Sequence, residues 1–210
     1  MKIITLGTGN AFTSNGRDNA SVLLDGTFKV LFDCSPQTIS SLRKLNLAPN
    51  QIDYIFVSHL HGDHSGGLPF FLLNLKHRES GTVTVSGPPG LEKQIHTVYK
   101  EYFGDVDINK YFKFQHPDSK YPFDLEYMEG DHSILDFIYK IEFSTSYLDT
   151  VIQTAPPGAC SEFPGVDNAL LPFRMTNLST GQQVQLIHFD KGVTTGYIYF
   201  SEFGPGDCSI

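Results

Sequence analysis

Four residues with metal-ligating side chains fall within six positions of the chain. His59, His61, Asp63 and His64 form the pattern His-x-His-x-Asp-His directly after the mostly apolar run 52–58. Imidazole nitrogens and a carboxylate oxygen suit zinc and related divalent cations, and a donor set without sulfur is typical of catalytic sites that keep one position open for water. A polar loop that happens to be rich in histidine is the alternative interpretation. The density of the cluster and its place after a strand favour a metal site.

The cluster depends on a turn that brings its side chains round one cavity. On extended backbone, residues two apart point the same way, so the first three members of the pattern share a side and His64 faces away. A tight loop through Gly62 would bring His64 to the others. Because the run 52–58 reads as a buried strand, the cluster is predicted to lie at the C-terminal end of that strand.

Strands and helices are predicted to alternate over the first part of the chain. Apolar runs at 21–24 and 29–32 flank Asp25-Gly26, a dipeptide that favours a β-hairpin with positive φ at both central residues. After the cluster, apolar spacing predicts two helices with a strand at 82–86 between them. Beyond Gly104 the pattern is mainly that of strands.

Composition and charge narrow the classes of protein that fit. The chain has 210 residues, of which 40% are hydrophobic and 18% charged, which is typical of a globular protein. No run approaches the ~20 apolar residues of a membrane span, and the N-terminus does not read as a signal peptide. The net charge of −8 argues against an extended nucleic-acid surface. Three widely spaced cysteines predict reduced thiols and a cytoplasmic protein.

Three stretches carry a family resemblance. Leu-Gly-Thr-Gly-Asn-Ala-Phe at 6–12, Leu-Phe-Asp-Cys at 31–34 and the segment 57–68 around the histidines resemble the metallo-β-lactamase superfamily, and more narrowly its RNase Z-like phosphodiesterase branch. The resemblance is densest over residues 1–100. It implies an α+β fold, the αββα four-layer sandwich, which a chain of this length holds only in a tight or shortened form.

The resemblance also implies a dinuclear metal site, with two Zn²⁺ ions per chain expected and Mn²⁺ or Fe as alternatives. His59 and His61 would hold the first metal, and Asp63 and His64 the second. The third histidine, the bridging aspartate and the terminal histidine of such sites would correspond to His132, Asp149 and His188.

Each of these last three residues has an ordinary alternative. His132 precedes a predicted strand, as in the family's third motif, but it also fits a solvated turn. Asp149 lies in Ser-Tyr-Leu-Asp-Thr, where the family usually has Ser-Gly-Asp-Thr, and it also fits a surface acid. His188 lies in an alternating run that a half-buried strand would show as well. Asp33 closes a strand, where it either orients a ligand histidine or simply ends the strand.

The predicted function is that of a metal-dependent hydrolase, most specifically of a phosphodiester. Two metals could lower the pKa of a bound water and neutralise charge on the phosphoryl oxygens. Asp63 and His132 are the predicted catalytic residues: Asp63 would orient the hydroxide, and a histidine in the pocket could protonate the leaving oxygen. A small anionic substrate such as a cyclic nucleotide is favoured over transfer-RNA 3′ processing, because no basic exosite is evident in the sequence. Whether the protein forms a homodimer stays open.

Residues 151–210 are β-rich, and a boundary near residue 150 is predicted. One interpretation makes residues 1–150 the metal-binding core and the rest the second half of the same sandwich. Another makes the rest a small Ig-like accessory domain, and with it a non-catalytic binding module that has an incomplete metal site. Hydrolysis of another ester, a thioester or a lactam, and a truncated or recombined chain, are the further alternatives.

Overall fold

The computed structural model describes most of residues 2–144 and several short strands beyond them. The described ranges are 2–13, 16–78, 81–130, 132–144, 150–153, 174–176, 183–185, 188–189, 195–200 and 202–203. From residue 142 onward the description is of backbone pairing.

The elements alternate between strand and helix in the first half and are strands in the second. In chain order they are β1 (Lys2–Gly7), β2 (Ser21–Asp25), β3 (Lys29–Phe32), α1 (Thr38–Lys44), β4 (Tyr54–Phe56), α2 (Gly62–Ser65), α3 (Leu68–Arg78), β5 (Val83–Ser86), α4 (Leu91–Phe103), β6 (Phe112–Gln115), β7 (Leu125–Glu129), β8 (Phe137–Ser144), β9 (Thr150–Gln153), β10 (Arg174–Thr176), β11 (Gln183–Gln185), β12 (His188–Phe189), β13 (Thr195–Phe200) and β14 (Glu202–Phe203).

A seven-stranded sheet forms the centre of the described structure. Its strand order is β6-β5-β4-β3-β2-β1-β9. Strands β3, β4, β5 and β6 are parallel neighbours, and β2 runs antiparallel to both β1 and β3. Consequently β1, β3, β4 and β5 point the same way, and the loops after them meet at one edge of the sheet. This is the edge at which mostly parallel sheets place their ligands.

Both faces of this sheet are buried. One face packs Leu31 and Ile55 against Leu42 of α1, Phe71 of α3 and Tyr99 of α4, and all five side chains are fully buried. Each large apolar side chain buried in this way contributes about 1.5–3 kcal/mol to stability. Continuous burial on both faces explains why the strands read as apolar runs without alternation.

The other face packs against a second sheet. Phe32 and Phe56 contact Tyr139 of β8, with ring centroids 6.0 and 5.3 Å apart. The second sheet has the order β12-β13-β8-β7, and a small sheet has the order β10-β11-β14. The predicted α+β class and sandwich architecture are confirmed, and the described side chains account for a helix layer and two sheet layers. Among the described residues, no helix contributes to the cluster between the sheets.

Two local predictions differ from the structure. Strands β2 and β3 do form an antiparallel hairpin, but neither Asp25 nor Gly26 takes a positive φ, because three residues connect the strands and Gly26 N donates to Phe28 O at 3.2 Å. The tight loop through Gly62 is the short helix α2. Within the described ranges, no helix has the length and apolar character that crossing a bilayer requires.

Candidate metal centre

Three histidines from two distant parts of the chain meet at the edge of the seven-stranded sheet. Each of His59, His61 and His132 offers one ring nitrogen, and these nitrogens lie within 4.8 Å of one another. The ring centroid of His59 is 4.8 Å from that of His61 and 4.6 Å from that of His132. Three nitrogens at this spacing can converge on one divalent cation.

The motif segment, residues 57–67, carries His59, His61, Asp63 and His64. It leaves the buried end of β4 and turns into α2, for which His61 is the N-cap residue. The helical turn brings the His64 ring to 4.0 Å from the His59 ring, centroid to centroid, and His64 Nε2 lies 3.3 Å from Asp63 Oδ2. All four side chains therefore lie close together, as the pattern predicts, although a short helix rather than a loop turns His64 toward the others.

Gly67 allows the motif segment to pack closely on the chain after β3. A Cβ at this position would lie 2.1 Å from the backbone oxygen of Ser35, so only glycine fits. Gly67 N donates to Cys34 O at 2.7 Å, and Cys34 N donates to His64 O at 2.7 Å. These reciprocal backbone hydrogen bonds fix the second half of the motif segment against residues 33–35.

The buried side chain of Asp33 orients the ring of His64. Its carboxylate is fully buried, and Oδ2 accepts from His64 Nδ1 at 2.5 Å. The same carboxylate accepts from Ser58 N at 2.7 Å and from the Ser58 hydroxyl at 2.9 Å. Because Nδ1 contacts the Asp33 carboxylate, Nε2 is the ring nitrogen that faces Asp63, at 3.3 Å from its Oδ2, and it is the nitrogen that can act as a metal ligand. The backbone of Asp33 has φ +56°, a left-handed conformation that aspartate tolerates better than most residues.

A second buried carboxylate lies beside His59 and was not predicted from the sequence. Asp136 is 1% exposed, and its Oδ1 is 3.5 Å from His59 Nδ1. Ser58 Oγ also contacts His59 Nδ1, at 3.0 Å. The only signal in the sequence was an acid placed directly before the apolar strand β8. Two histidines of the motif segment thus each have a buried carboxylate behind the ring.

His132 belongs to the docking segment, which we define as residues 130 and 132–139. Phe137 N donates to Ser58 O at 2.8 Å, and the Tyr139 hydroxyl donates to Val57 O at 2.9 Å. These two hydrogen bonds join the second sheet directly to the start of the motif segment. They bring His132 to the site from a strand pair more than sixty residues further along the chain.

The protonation states of His61 and Asp63 suit metal ligands. Burial, together with neighbouring His59 and His132, lowers the pKa of His61 and so favours its neutral form. Burial alone would raise the pKa of Asp63, but the hydrogen bond and charge of His64 outweigh it, and the pKa is lowered. Burial, with the Asp33 charge beside it, raises the pKa of the Cys34 thiol, which is therefore inert.

The structure brings five of the seven predicted ligands together. His59, His61 and His132 converge, His64 lies beside His59, and Asp63 lies beside His64. Asp149 lies outside the described residues. The backbone of His188 forms part of β12, where it pairs with Tyr197, and its side chain lies outside the description. The metal-binding roles of Asp149 and His188 stay predictions.

The observed groups fit a divalent metal. Three imidazole nitrogens converge without any sulfur, which is the donor chemistry of a catalytic rather than a structural zinc site. Asp136 Oδ1 is buried and accepts no hydrogen bond among the described contacts. A cation held by His59 would make the Nδ1 proton of that ring a stronger donor toward Asp136. His59, His61 and His132 would hold this cation.

Comparisons with known proteins agree with this geometry. Residues 1–147 match the family model described as Anti-Pycsar protein Apyc1. Ribonuclease Z of Nanoarchaeum equitans is 34% identical over 146 residues, which cover 67% of this chain and 46% of that protein. Ribonuclease Z of Listeria monocytogenes is 26% identical over 218 residues, which cover 96% of this chain and 65% of that protein. The chain spans about half the length of the first of these relatives.

Solved structures show the same fold. Human tRNase Z, short form, superposes with a TM-score of 0.56 and 25% identity over 66% of this chain and 62% of that one. The metallo-β-lactamase fold protein YhfI of Bacillus subtilis superposes with a TM-score of 0.55 and 17% identity over 66% of this chain and 56% of that one. Fold, motif and family model agree: the chain belongs to the Anti-Pycsar protein Apyc1 family, in the RNase Z-like branch of the metallo-β-lactamase superfamily.

Proposed function

We propose that the protein is a metal-dependent hydrolase of phosphodiesters. The observation that carries the proposal is the convergence of ring nitrogens of His59, His61 and His132 within 4.8 Å, with His64 and Asp63 beside them. The names of the relatives, ribonuclease Z and tRNase Z, denote enzymes that act on RNA phosphodiesters.

We infer two Zn²⁺ ions per chain, with Mn²⁺ or Fe as alternatives. His59, His61 and His132 would hold one ion, and Asp63 and His64 would contribute to the other, together with the predicted ligands Asp149 and His188. When bound, such ions lower the pKa of water and neutralise charge on phosphoryl oxygens. They also supply the positive charge that lets an acidic protein accept an anionic substrate.

The residues of the chain have distinct parts in this proposal. Asp63 stays ionised because its pKa is lowered, so its carboxylate can accept a hydrogen bond from the attacking water and orient it. Asp33 and Asp136 keep the rings of His64 and His59 in the required orientation. His132 is also predicted to protonate the leaving oxygen. It could do so only through a ring nitrogen that does not bind the metal.

We infer that the substrate is a small phosphodiester such as a cyclic nucleotide. Four lysines of the described surface are paired with carboxylates: Lys29 with Asp25, Lys44 with Asp18, Lys100 with Asp105 and Lys140 with Glu126. Such pairing neutralises part of the positive charge that a long RNA would need, because its backbone is bound chiefly through Lys and Arg. The net charge of −8 points the same way.

The second candidate function is processing of transfer-RNA 3′ ends. The names of the relatives support it, since both ribonuclease Z and tRNase Z refer to RNA cleavage. It would place the RNA-binding surface on parts of the relatives that this chain does not match, or on a partner chain.

Purified protein loaded with Zn²⁺ or Mn²⁺ tests both candidates. We expect hydrolysis of bis(p-nitrophenyl) phosphate and of 3′,5′-cyclic nucleotides, loss of both in His61→Ala, and no change in His77→Ala, whose side chain is exposed on α3. Cleavage of a transfer-RNA precursor without cyclic-nucleotide hydrolysis would replace the first candidate by the second. Hydrolysis of only a thioester or a lactam would refute the phosphodiesterase proposal.

The remaining proposals concern residues 151–210, the oligomeric state and the cellular location. We infer that residues 151–210 are the second half of the same sandwich, because β9 pairs with β1 and β13 pairs with β8. Ultracentrifugation tests whether the chain forms a homodimer, and expression with a fluorescent tag tests the predicted cytoplasmic location.

A further inference from the structure

Gln94 reaches from α4 to the backbone of the motif segment. Its Nε2 donates to Leu60 O at 2.7 Å, and its Oε1 lies 3.1 Å from Ser65 Oγ. The Ser65 hydroxyl also lies 3.0 Å from His61 O. Leu60 separates His59 from His61, so a single side chain contacts the segment at the link between two metal-ligating histidines and again at the end of α2.

Gln94 is held in place by the helix that carries it. It lies in the first turn of α4, between Leu91 and Ile95, which are 4% and 1% exposed. A Cβ on Gly90, the N-cap residue, would lie 3.5 Å from Leu60 Cδ1, so the start of α4 packs directly against the motif segment. A side chain on such a base can fix the position of the backbone that it contacts.

The other attachments of the motif segment lie near its two ends. Phe137 N donates to Ser58 O, Cys34 N donates to His64 O and Gly67 N donates to Cys34 O. Among the described contacts, the hydrogen bond from Gln94 is the one that reaches the Leu60 carbonyl from outside the segment. Without it, the Leu60 carbonyl would lose this hydrogen bond from outside the segment, and packing of the Leu60 side chain alone would hold the stretch between His59 and His61 against α4.

We propose that Gln94 is a positioning residue of the metal centre, which sets the separation of His59 and His61 through the Leu60 carbonyl. The inference rests on the metal site of the proposed function. It does not depend on which substrate is hydrolysed. Loss of a partner that orients ligands typically weakens metal binding about 10–100-fold, and we expect a decrease of this size.

Gln94→Met tests the proposal, because methionine keeps the length of the side chain and removes both hydrogen-bonding atoms. We expect Zn²⁺ affinity, measured by competition with a chromophoric chelator, to fall about 10–100-fold, and the visible spectrum of the Co²⁺-loaded protein to change. The unfolding temperature of the metal-free protein should stay close to that of wild type. Lys93→Met, an exposed neighbour on the same helix turn, is the matched control and should leave both readouts unchanged.

A second substitution makes the test independent of one variant. Gln94→Asn keeps the amide but shortens the side chain by one methylene, which draws the amide away from Leu60 O. If Gln94→Met does not fold, Gln94→Asn must still weaken Zn²⁺ binding measurably. Wild-type metal affinity in a folded Gln94→Met or Gln94→Asn variant would overturn the proposal.

The proposal and the proposed function fail in different ways. A wild-type protein that binds Zn²⁺ but hydrolyses no phosphodiester refutes the function and leaves the role of Gln94 in metal binding to be judged by the affinities. An active wild type whose Gln94→Met variant keeps full metal affinity refutes the role of Gln94 alone.

Discussion

The motif segment and the docking segment both deliver histidines to the site, but they are held by different means. The motif segment is continuous, and backbone hydrogen bonds fix it on residues 33–35, with Gly67 packed against the Ser35 carbonyl. The docking segment arrives from the second sheet and is held by Phe137 and Tyr139 on residues 57 and 58. A local spacing therefore encodes one part of the site, whereas the packing of two sheets creates the other.

The carboxylates behind the histidines repeat this difference. Asp33 makes three close contacts, with the Ser58 amide, the Ser58 hydroxyl and His64. Asp136 lies 3.5 Å from His59 Nδ1, which is longer than a good hydrogen bond. The site is therefore tightly organised where it rests on the first sheet and more open to adjustment where the second sheet contributes.

The largest expected effect comes from removing a histidine of either segment. His61→Ala and His132→Ala should each lose bound metal and reduce hydrolysis of bis(p-nitrophenyl) phosphate by more than the roughly 10–100-fold that loss of an orienting partner costs. Metal content by mass spectrometry and steady-state rates check this. His77→Ala serves as the control. Full metal content and activity in His132→Ala would mean that the docking segment contributes no ligand, and the two segments could no longer be compared as parts of one metal site.

Next in size are the two carboxylates. Asp33→Asn should weaken metal binding by up to about 100-fold and Asp136→Asn by about 10-fold, because Asp33 makes the closer contact with its histidine. Zn²⁺ and Co²⁺ titrations of each variant measure this. Asp118→Asn, an exposed acid away from the site, is the control. A larger effect for Asp136→Asn would reverse the ranking of the two segments.

Gly67 of the motif segment and Gly130 of the docking segment differ in what they contact. Gly67→Ala would push Cβ into the backbone of Ser35 and should destabilise the protein by about 1–3 kcal/mol. In Gly130→Ala the Cβ would meet Asp136 Oδ2 at 2.4 Å, which is a side-chain atom rather than a backbone atom, so we expect a smaller loss, below about 1 kcal/mol. Urea denaturation of the metal-free variants gives both values. Equal losses would mean that the docking segment is packed as rigidly as the motif segment.

The smallest effect tests the contact between the segments. Tyr139→Phe removes the hydrogen bond to Val57 O and should lower the free energy of unfolding by about 1 kcal/mol at pH 7. Burial, and then the charge of Asp33, raises the pKa of Tyr139 well above its usual value. As the pH rises past about 10, the Tyr139 hydroxyl therefore loses its proton in the unfolded chain before it does so in the folded protein. The stability that the protonated hydroxyl contributes at lower pH then declines.

The pH dependence gives this prediction its control. Wild type should lose stability between about pH 9 and 11 more steeply than Tyr139→Phe, whereas Tyr102→Phe, with an exposed ring, should follow wild type. Denaturation curves across this range decide it. Parallel decline of wild type and Tyr139→Phe would contradict a buried, protonated hydroxyl between the sheets.

What the sequence predicts follows the same division. The motif segment, the strand before it and the alternation of strands and helices around it follow from local spacing, and Asp33 was a candidate because it closes a strand. Asp136 and Gln94 were missed because contacts between distant segments assign their roles, and Gln94 looks like any polar residue on a helix. His132 was a candidate through family resemblance, since a lone histidine before a strand carries no information on where the strand will pack.

The hydrogen bond between Tyr139 and Val57 also bears on the order of folding. The two residues are 82 positions apart, so a long loop must close before this contact forms, and such contacts slow folding. We expect the first sheet to form with its motif segment before the second sheet docks. High-affinity metal binding would then begin only at the last step, and a stopped-flow record of Co²⁺ absorption would lag behind the circular dichroism signal during refolding.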